Sequence, residues 1–148
     1  MKRSHSYNSN MNNSFSEKLN IVIVGAGRAG NFHVNSLSIN KQYNLVYIVD
    51  NNLDKAKLLA DKANCKYSDN LNNVLANNNI DAVIIATTTP THYDLTMICL
   101  SFNKHVFCEK PLGKSEQEIS DCFKFANARN LKLLVAYQKR FDKNYSKL

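Results

Sequence analysis

The stretch that decides the fold is Leu19-Asn20-Ile21-Val22-Ile23-Val24-Gly25-Ala26-Gly27-Arg28-Ala29-Gly30. Its first half is a short apolar run rich in β-branched residues and closed by glycine, which predicts a strand buried on both faces. After it, Ala29, Phe32 and Leu37 recur at near-helical spacing until Asn40-Lys41-Gln42 breaks the pattern, predicting a helix over residues 28–38. Between strand and helix stands a complete GxGxxG, in the context that gives that pattern a meaning. Gly25 permits the tight turn, Gly27 lets the backbone approach an anion without an intervening Cβ, and Gly30 lets the helix pack close to the strand. With Ala26, Arg28 and Ala29 they form a loop whose amides, at a helix N-terminus, suit the pyrophosphate of a dinucleotide.

Outward from this loop the pattern repeats. Residues 44–49 are β-branched and aromatic and end at Asp50, while residues 53–63 return to helical spacing through Ala56, Leu59, Ala60 and Ala63. A weak strand is expected at Lys66 and Tyr67, a helix over 71–76, an apolar strand over 82–86, a helix over 93–102 and a strand over 105–108. A helix over 115–128 opens on a Ser115 to Glu118 capping box, and a last strand covers 132–136. Strand and helix alternating with short connections demand parallel pairing and crossovers, so the fold class is α/β: a Rossmann-type doubly wound parallel sheet of about six strands.

Asp50 lies twenty positions after Gly30 at the end of the second strand, where a carboxylate can accept hydrogen bonds from ribose hydroxyls. That argues for NAD over NADP, since a 2′-phosphate would meet a like charge and Asn51 and Asn52 bring no cation; Lys55 is the nearby residue that could still accommodate one. The alternative for Asp50 is a turn or helix-capping role before Asn51-Asn52.

The 148 residues carry a formal charge of +7. That length suits one domain: a Ser- and Asn-rich tail over 1–18, a dinucleotide-binding unit over 19–137, and a linker over 138–148. Lys2-Arg3 is followed by polar residues rather than an apolar run, so no secretory signal is read and the cytoplasm is the expected location. No stretch approaches the roughly 20 apolar residues of a membrane span. Cys65, Cys99, Cys108 and Cys122 show no CxxC pair and no metal-ligand spacing, so they are read as reduced thiols and no metal is expected. Much of the positive charge sits in the N-terminal tail and in Lys139, Arg140, Lys143 and Lys147, which favours a solvated surface over nucleic-acid binding.

Three further segments carry a resemblance. Lys104-His105-Val106-Phe107-Cys108-Glu109-Lys110-Pro111-Leu112 resembles the signature, a buried strand ending in Glu-Lys-Pro, of the glucose-fructose oxidoreductase and inositol dehydrogenase family. Ala86-Thr87-Thr88-Thr89-Pro90-Thr91-His92 is similar to that family's cofactor loop after the fourth strand, with Thr88 where proline commonly stands. Tyr137-Gln138-Lys139-Arg140-Phe141-Asp142 is similar to its linker toward a second domain. The family consists of two-domain nicotinamide-dependent sugar and polyol dehydrogenases. The resemblance therefore implies NAD as cofactor, contacts from Thr87, Thr88, Thr89 and His92, and a place for Lys110 beside the nicotinamide. There its ammonium can stabilise an alkoxide developing on a substrate hydroxyl, with Glu109 orienting it. At the start of a helix His92 reads as a capping or packing group rather than an acid or base, and His33 and His105 also read as packing groups.

Family members continue into a second domain that completes the substrate pocket and supplies an Asp and a His for proton abstraction. With the sequence ending at Leu148, weak or absent turnover by the chain alone is expected, a polyol or sugar being a substrate only if a second domain is supplied. The alternative is a non-catalytic interaction module that keeps the fold. In that case Phe141 and Tyr145 would seek cover and the chain would form a homo-oligomer.

Overall fold

The computed structural model describes residues 18–137. Six strands, β1 (Leu19–Val24), β2 (Tyr43–Val49), β3 (Lys66–Ser68), β4 (Ala82–Ile85), β5 (His105–Cys108) and β6 (Leu133–Val135), form one sheet in the order β3-β2-β1-β4-β5-β6. Every neighbouring pair is parallel. The order reverses between β1 and β4, which places a topological switch point beside the glycine loop. Five helices connect the strands: α1 (Arg28–Ser38), α2 (Leu53–Ala63), α3 (Leu71–Leu75), α4 (His92–Ser101) and α5 (Glu116–Ala128).

Alternation along β1 divides the core. Ile21 and Ile23 face Val34 of α1 and Ala56, Leu59 and Ala60 of α2. Val22 and Val24 face the opposite layer, with Val74 and Leu75 of α3, Cys99 and Leu100 of α4, and Cys122 and Ala126 of α5. Both faces of β1 are filled from Ile21 onward, which is why it reads as an unbroken apolar run. Each fully buried valine or isoleucine here contributes on the order of 1.5–3 kcal/mol relative to exposure.

The expected elements are found, with adjustments at their ends. Pro90 stands in a 3-10 turn, Thr89–Thr91, and α4 then begins at His92. The capping box at α5 is half made. Ser115 Oγ accepts from the Glu118 amide at 3.2 Å, while the Glu118 carboxylate turns one residue further back and accepts from the Lys114 amide at 2.6 Å. Three of the four thiols, Cys99, Cys108 and Cys122, are buried, and all four are free. Burial pushes Cys99 and Cys108 up to about 12 and Cys65 and Cys122 up to about 11, so these thiols are held in the unreactive protonated form. Among the described residues no helix is long and apolar enough to cross a membrane. Residues 1–17 of the expected tail over 1–18 and the expected linker over 138–148, with Phe141 and Tyr145, lie outside the described residues.

Candidate functional site

A cleft of about 490 Å³ opens at the carboxyl ends of β1, β2 and β4, the place where ligands bind in open α/β sheets. Its floor is the glycine loop. Gly25 has φ +106°, a conformation L side chains rarely adopt, and a Cβ there would stand 2.5 Å from the Ala86 carbonyl oxygen. At Gly30 a Cβ would collide with the Gly25 carbonyl, so helix and strand can approach only because the residue is glycine. Gly27 differs from both: a Cβ there would meet nothing within 4 Å. The position needs no glycine for packing, so what its missing side chain leaves open is space in front of the α1 N-terminus.

That N-terminus is bare. Gly27 is the N-cap and provides no side-chain cap, and no side chain or carbonyl accepts from the Arg28, Ala29 or Gly30 amides among the described residues. Helix-terminal amides with neither cap nor Cβ in front of them fit a diphosphate. The Ala26 amide is not part of this set, because it donates to Asp50 Oδ2 at 2.8 Å. Asp50 Oδ1 accepts from the Asn52 amide at 2.9 Å, so the carboxylate ties the glycine loop to the end of β2. The turn role considered for Asp50 is thus present, and each oxygen keeps a lone pair for a ribose hydroxyl.

Of the residues singled out in the sequence, Gly25, Gly27, Asp50, Thr87 and Thr88 line the cleft. Ala26 and Arg28 line an adjoining groove of about 390 Å³ with Asn31, Lys55 and Lys62. Thr89 borders a separate hollow of about 60 Å³. Ala29, Gly30, His92, Glu109 and Lys110 line none of these. The cleft also contains Asn51, Asp69, Leu71, Thr91 and Leu95, which sequence reading did not propose. All five follow the carboxyl ends of strands or open the next helix, and that position was the signal that could have found them.

The loop after β4 is fastened by its hydroxyls. Thr87 Oγ1 and Thr91 Oγ1 lie 2.8 Å apart, and the Thr91 hydroxyl donates to the Thr88 carbonyl at 2.8 Å. His92, only 1% exposed, sits beneath this loop with Nδ1 2.7 Å from the Pro111 carbonyl and Nε2 3.2 Å from the Thr87 carbonyl. The shorter contact assigns the donated proton to Nδ1. His92 therefore holds the β4 loop against the segment after β5.

That segment begins with Glu109, whose amide continues the sheet by donating to Ile85 at 2.9 Å. The expected contact in which Glu109 orients Lys110 is not made. The Glu109 carboxylate lies 2.8 Å from His33 Nε2, in the only salt-bridge geometry among the described residues. The sequence offered Lys110 as its partner because the two are adjacent, but helix α1 presents a better donor across the sheet. Lys110 is exposed, and no partner for its ammonium is found among the described residues; the Lys110-Pro111 bond is cis. His105, read as a packing group, also has a polar contact, its Nδ1 accepting from the Lys132 amide at 3.0 Å. No three His, Cys, Asp or Glu side chains among the described residues could hold a metal.

Residues 19–137 match the family described as oxidoreductase family, NAD-binding Rossmann fold. The myo-inositol 2-dehydrogenase of Thermotoga maritima is 30% identical over 132 residues, covering 88% of this chain and 39% of the relative. Thus the chain spans about two fifths of the length of such relatives. A crystal structure of an NAD-binding protein from Listeria innocua superposes with a TM-score of 0.80 at 30% identity, over 86% of this chain and 38% of that one. GenD2 from gentamicin A biosynthesis, solved in complex with NAD, superposes with a TM-score of 0.85 over 88% of this chain and 38% of its own. At 23% identity that likeness speaks for the fold alone. With a reversed-order parallel sheet, an open glycine loop and an acid closing β2, the chain belongs to the oxidoreductase family with the NAD-binding Rossmann fold.

Proposed function

We propose that the chain binds NAD in preference to NADP and serves as the coenzyme-binding part of an oxidoreductase acting on a CH–OH group of a polyol or sugar, as inositol dehydrogenases do. The observation that carries the coenzyme preference is the acidic wall of the cleft, where Asp50 and Asp69 stand beside Asn51 and Lys55. Two carboxylates against one ammonium favour a ribose diol, a hydrogen-bond donor, over a ribose phosphate.

The Arg28, Ala29 and Gly30 amides hold the diphosphate, Asp50 accepts from the ribose, and Thr87 and Thr88 border the path toward the reacting end. When bound, the nicotinamide supplies the electrophilic carbon that takes up the hydride. Lys110 is the residue proposed for the substrate: its ammonium donates to the reacting hydroxyl and stabilises negative charge as that oxygen loses its proton. Hydride transfer also needs the substrate carbon held close and a base within hydrogen-bond reach. The 148-residue chain alone is therefore proposed to bind coenzyme with little turnover. The test is an NADH fluorescence titration with NADPH in parallel. Saturable NADH binding, with NADPH weaker by about tenfold, or about 1.4 kcal/mol, supports the reading. No saturable signal up to millimolar NADH overturns it, and robust inositol oxidation by the isolated chain overturns the expectation of little turnover.

A second reading, an interaction module that pairs with another copy, is favoured by Phe32 and Leu134, each 62% exposed. A monomer by sedimentation removes that reading.

A further inference from the structure

The pair between His33 and Glu109 joins two parts of the site that the chain keeps 76 positions apart. His33 lies on α1, the helix whose N-terminus faces the cleft. Glu109 follows the last residue of β5 and precedes Lys110. The His33 ring is enclosed at its edge by Phe107 of β5, with centroids 5.6 Å apart and planes at 76°, and by Phe32, with centroids 5.7 Å apart. Both polar side chains are largely shielded, at 11% and 16% exposure. A carboxylate so placed needs a donor, and leaving either partner unmatched is costly. His33 supplies that donor, and the Lys110 ammonium is left uncommitted.

Resting on the reading of Lys110 given above, we propose that His33 is a positioning residue. Through the Nε2 to Oε1 hydrogen bond it fixes Glu109, and with it the turn that carries Lys110, relative to the helix that receives the coenzyme diphosphate. His92 anchors the far side of the same turn through the Pro111 carbonyl. The turn is thus held from α1 on one side and from α4 on the other, and the lysine itself bears none of the fastening.

The experiment compares backbone amide resonances and hydrogen exchange in the ¹⁵N-labelled full chain for wild type, His33→Leu and His33→Gln. Glutamine lacks the ring that packs on Phe107 but keeps a donor at nearly the reach of Nε2, so rescue by it separates the hydrogen bond from packing. His33→Leu is expected to displace the Glu109 and Lys110 resonances and to speed exchange of the Glu109 amide by about tenfold, as local opening requires. His33→Gln is expected to restore both. Glu109→Leu, which removes the acceptor from the other side, is expected to displace Lys110 in the same direction and serves if His33→Leu does not fold. Wild-type behaviour in His33→Leu, or a His33→Gln protein as displaced as His33→Leu, overturns the proposal. These measurements need no coenzyme, so a wild-type chain that fails to bind NADH would sink the coenzyme reading and leave the clasp tested by itself. Where NADH binds, it should shift the Lys110 amide in wild type and His33→Gln but not in His33→Leu; equal shifts in all three contradict the coupling.

Discussion

The two ends of the same sheet are both polar, and they handle their polar groups in opposite ways. At the amino end, Asn20 donates from its amide to Asp81 at 2.8 Å and from its side chain to Asn79, while Asn44 donates to Asn20. The buried Lys104 donates to the Asn77 and Ile80 carbonyls at 3.0 and 2.9 Å. Donors and acceptors there satisfy one another and the result is structure. At the carboxyl end, among the described residues, the Arg28, Ala29 and Gly30 amides have no acceptor, a Cβ at Gly27 would meet nothing within 4 Å, and the Lys110 ammonium has no partner. A cluster saturated from within holds the fold, whereas one left unsaturated is available to a ligand.

Breaking the saturated end should cost stability alone. Lys104→Met leaves the Ile80 carbonyl without a donor and the Asn77 carbonyl with only the Ile80 amide at 3.3 Å, and should lower stability by about 2 kcal/mol, read by urea unfolding. NADH affinity should stay within about twofold, a change under about 0.5 kcal/mol. The open end should show the reverse. Gly27→Val should weaken NADH at least about thirtyfold, roughly 2 kcal/mol, while thermal unfolding shows a midpoint shifted by no more than a few degrees. Asp50→Asn should weaken NADH by roughly tenfold and narrow the gap to NADPH, since the repelled phosphate loses its nearest like charge. Lys55→Ala should leave NADH nearly unchanged and weaken NADPH by about threefold, the value of one exposed cation.

Lys104 also gives the comparison a pH dependence. Desolvation by burial lowers its ammonium below the ordinary 10.5, with the Asp81 charge opposing the shift. The unfolded chain therefore binds more protons between the lowered value and the ordinary one, so this residue's contribution rises with pH across that window. This pH-linked increment, which comes on top of what the hydrogen bonds contribute at neutral pH, is complete above 10.5 and is lost as pH falls through the folded-state value. Unfolding measured along this window should be steeper in pH for wild type than for Lys104→Met, and parallel curves would contradict the assignment.

The sheet was legible because β1, β2, β4, β5 and β6 are short runs rich in apolar residues and α1, α2 and α5 keep their period, signals that live within a dozen residues; β3, only Lys66-Tyr67-Ser68, was the faintest strand. The glycine loop was legible for the same reason, and Asp50 because its position follows from the end of β2. Contacts that depend on how distant elements meet were not legible. The partner of Glu109 was assigned to its neighbour Lys110, since only the assembled sheet brings α1 across to β5. Asp69, Leu71 and Leu95 each stand just past a strand or in the opening turn of a helix, which is a local signal, but only the sheet order brings those places to one cleft. Lys104 gave no sign of burial, because a lysine opening a strand ordinarily points to solvent and here the carbonyls of residues 77 and 80 curl over it.

The most direct measurement is an NAD titration of the ¹⁵N-labelled chain followed at every assigned backbone amide. The account predicts that Arg28, Ala29 and Gly30 shift first and furthest, in one saturable process, while Asn20, Asn44 and Lys104 stay still. Unmoved glycine-loop amides, or shifts centred on the asparagine-lined end, would contradict it.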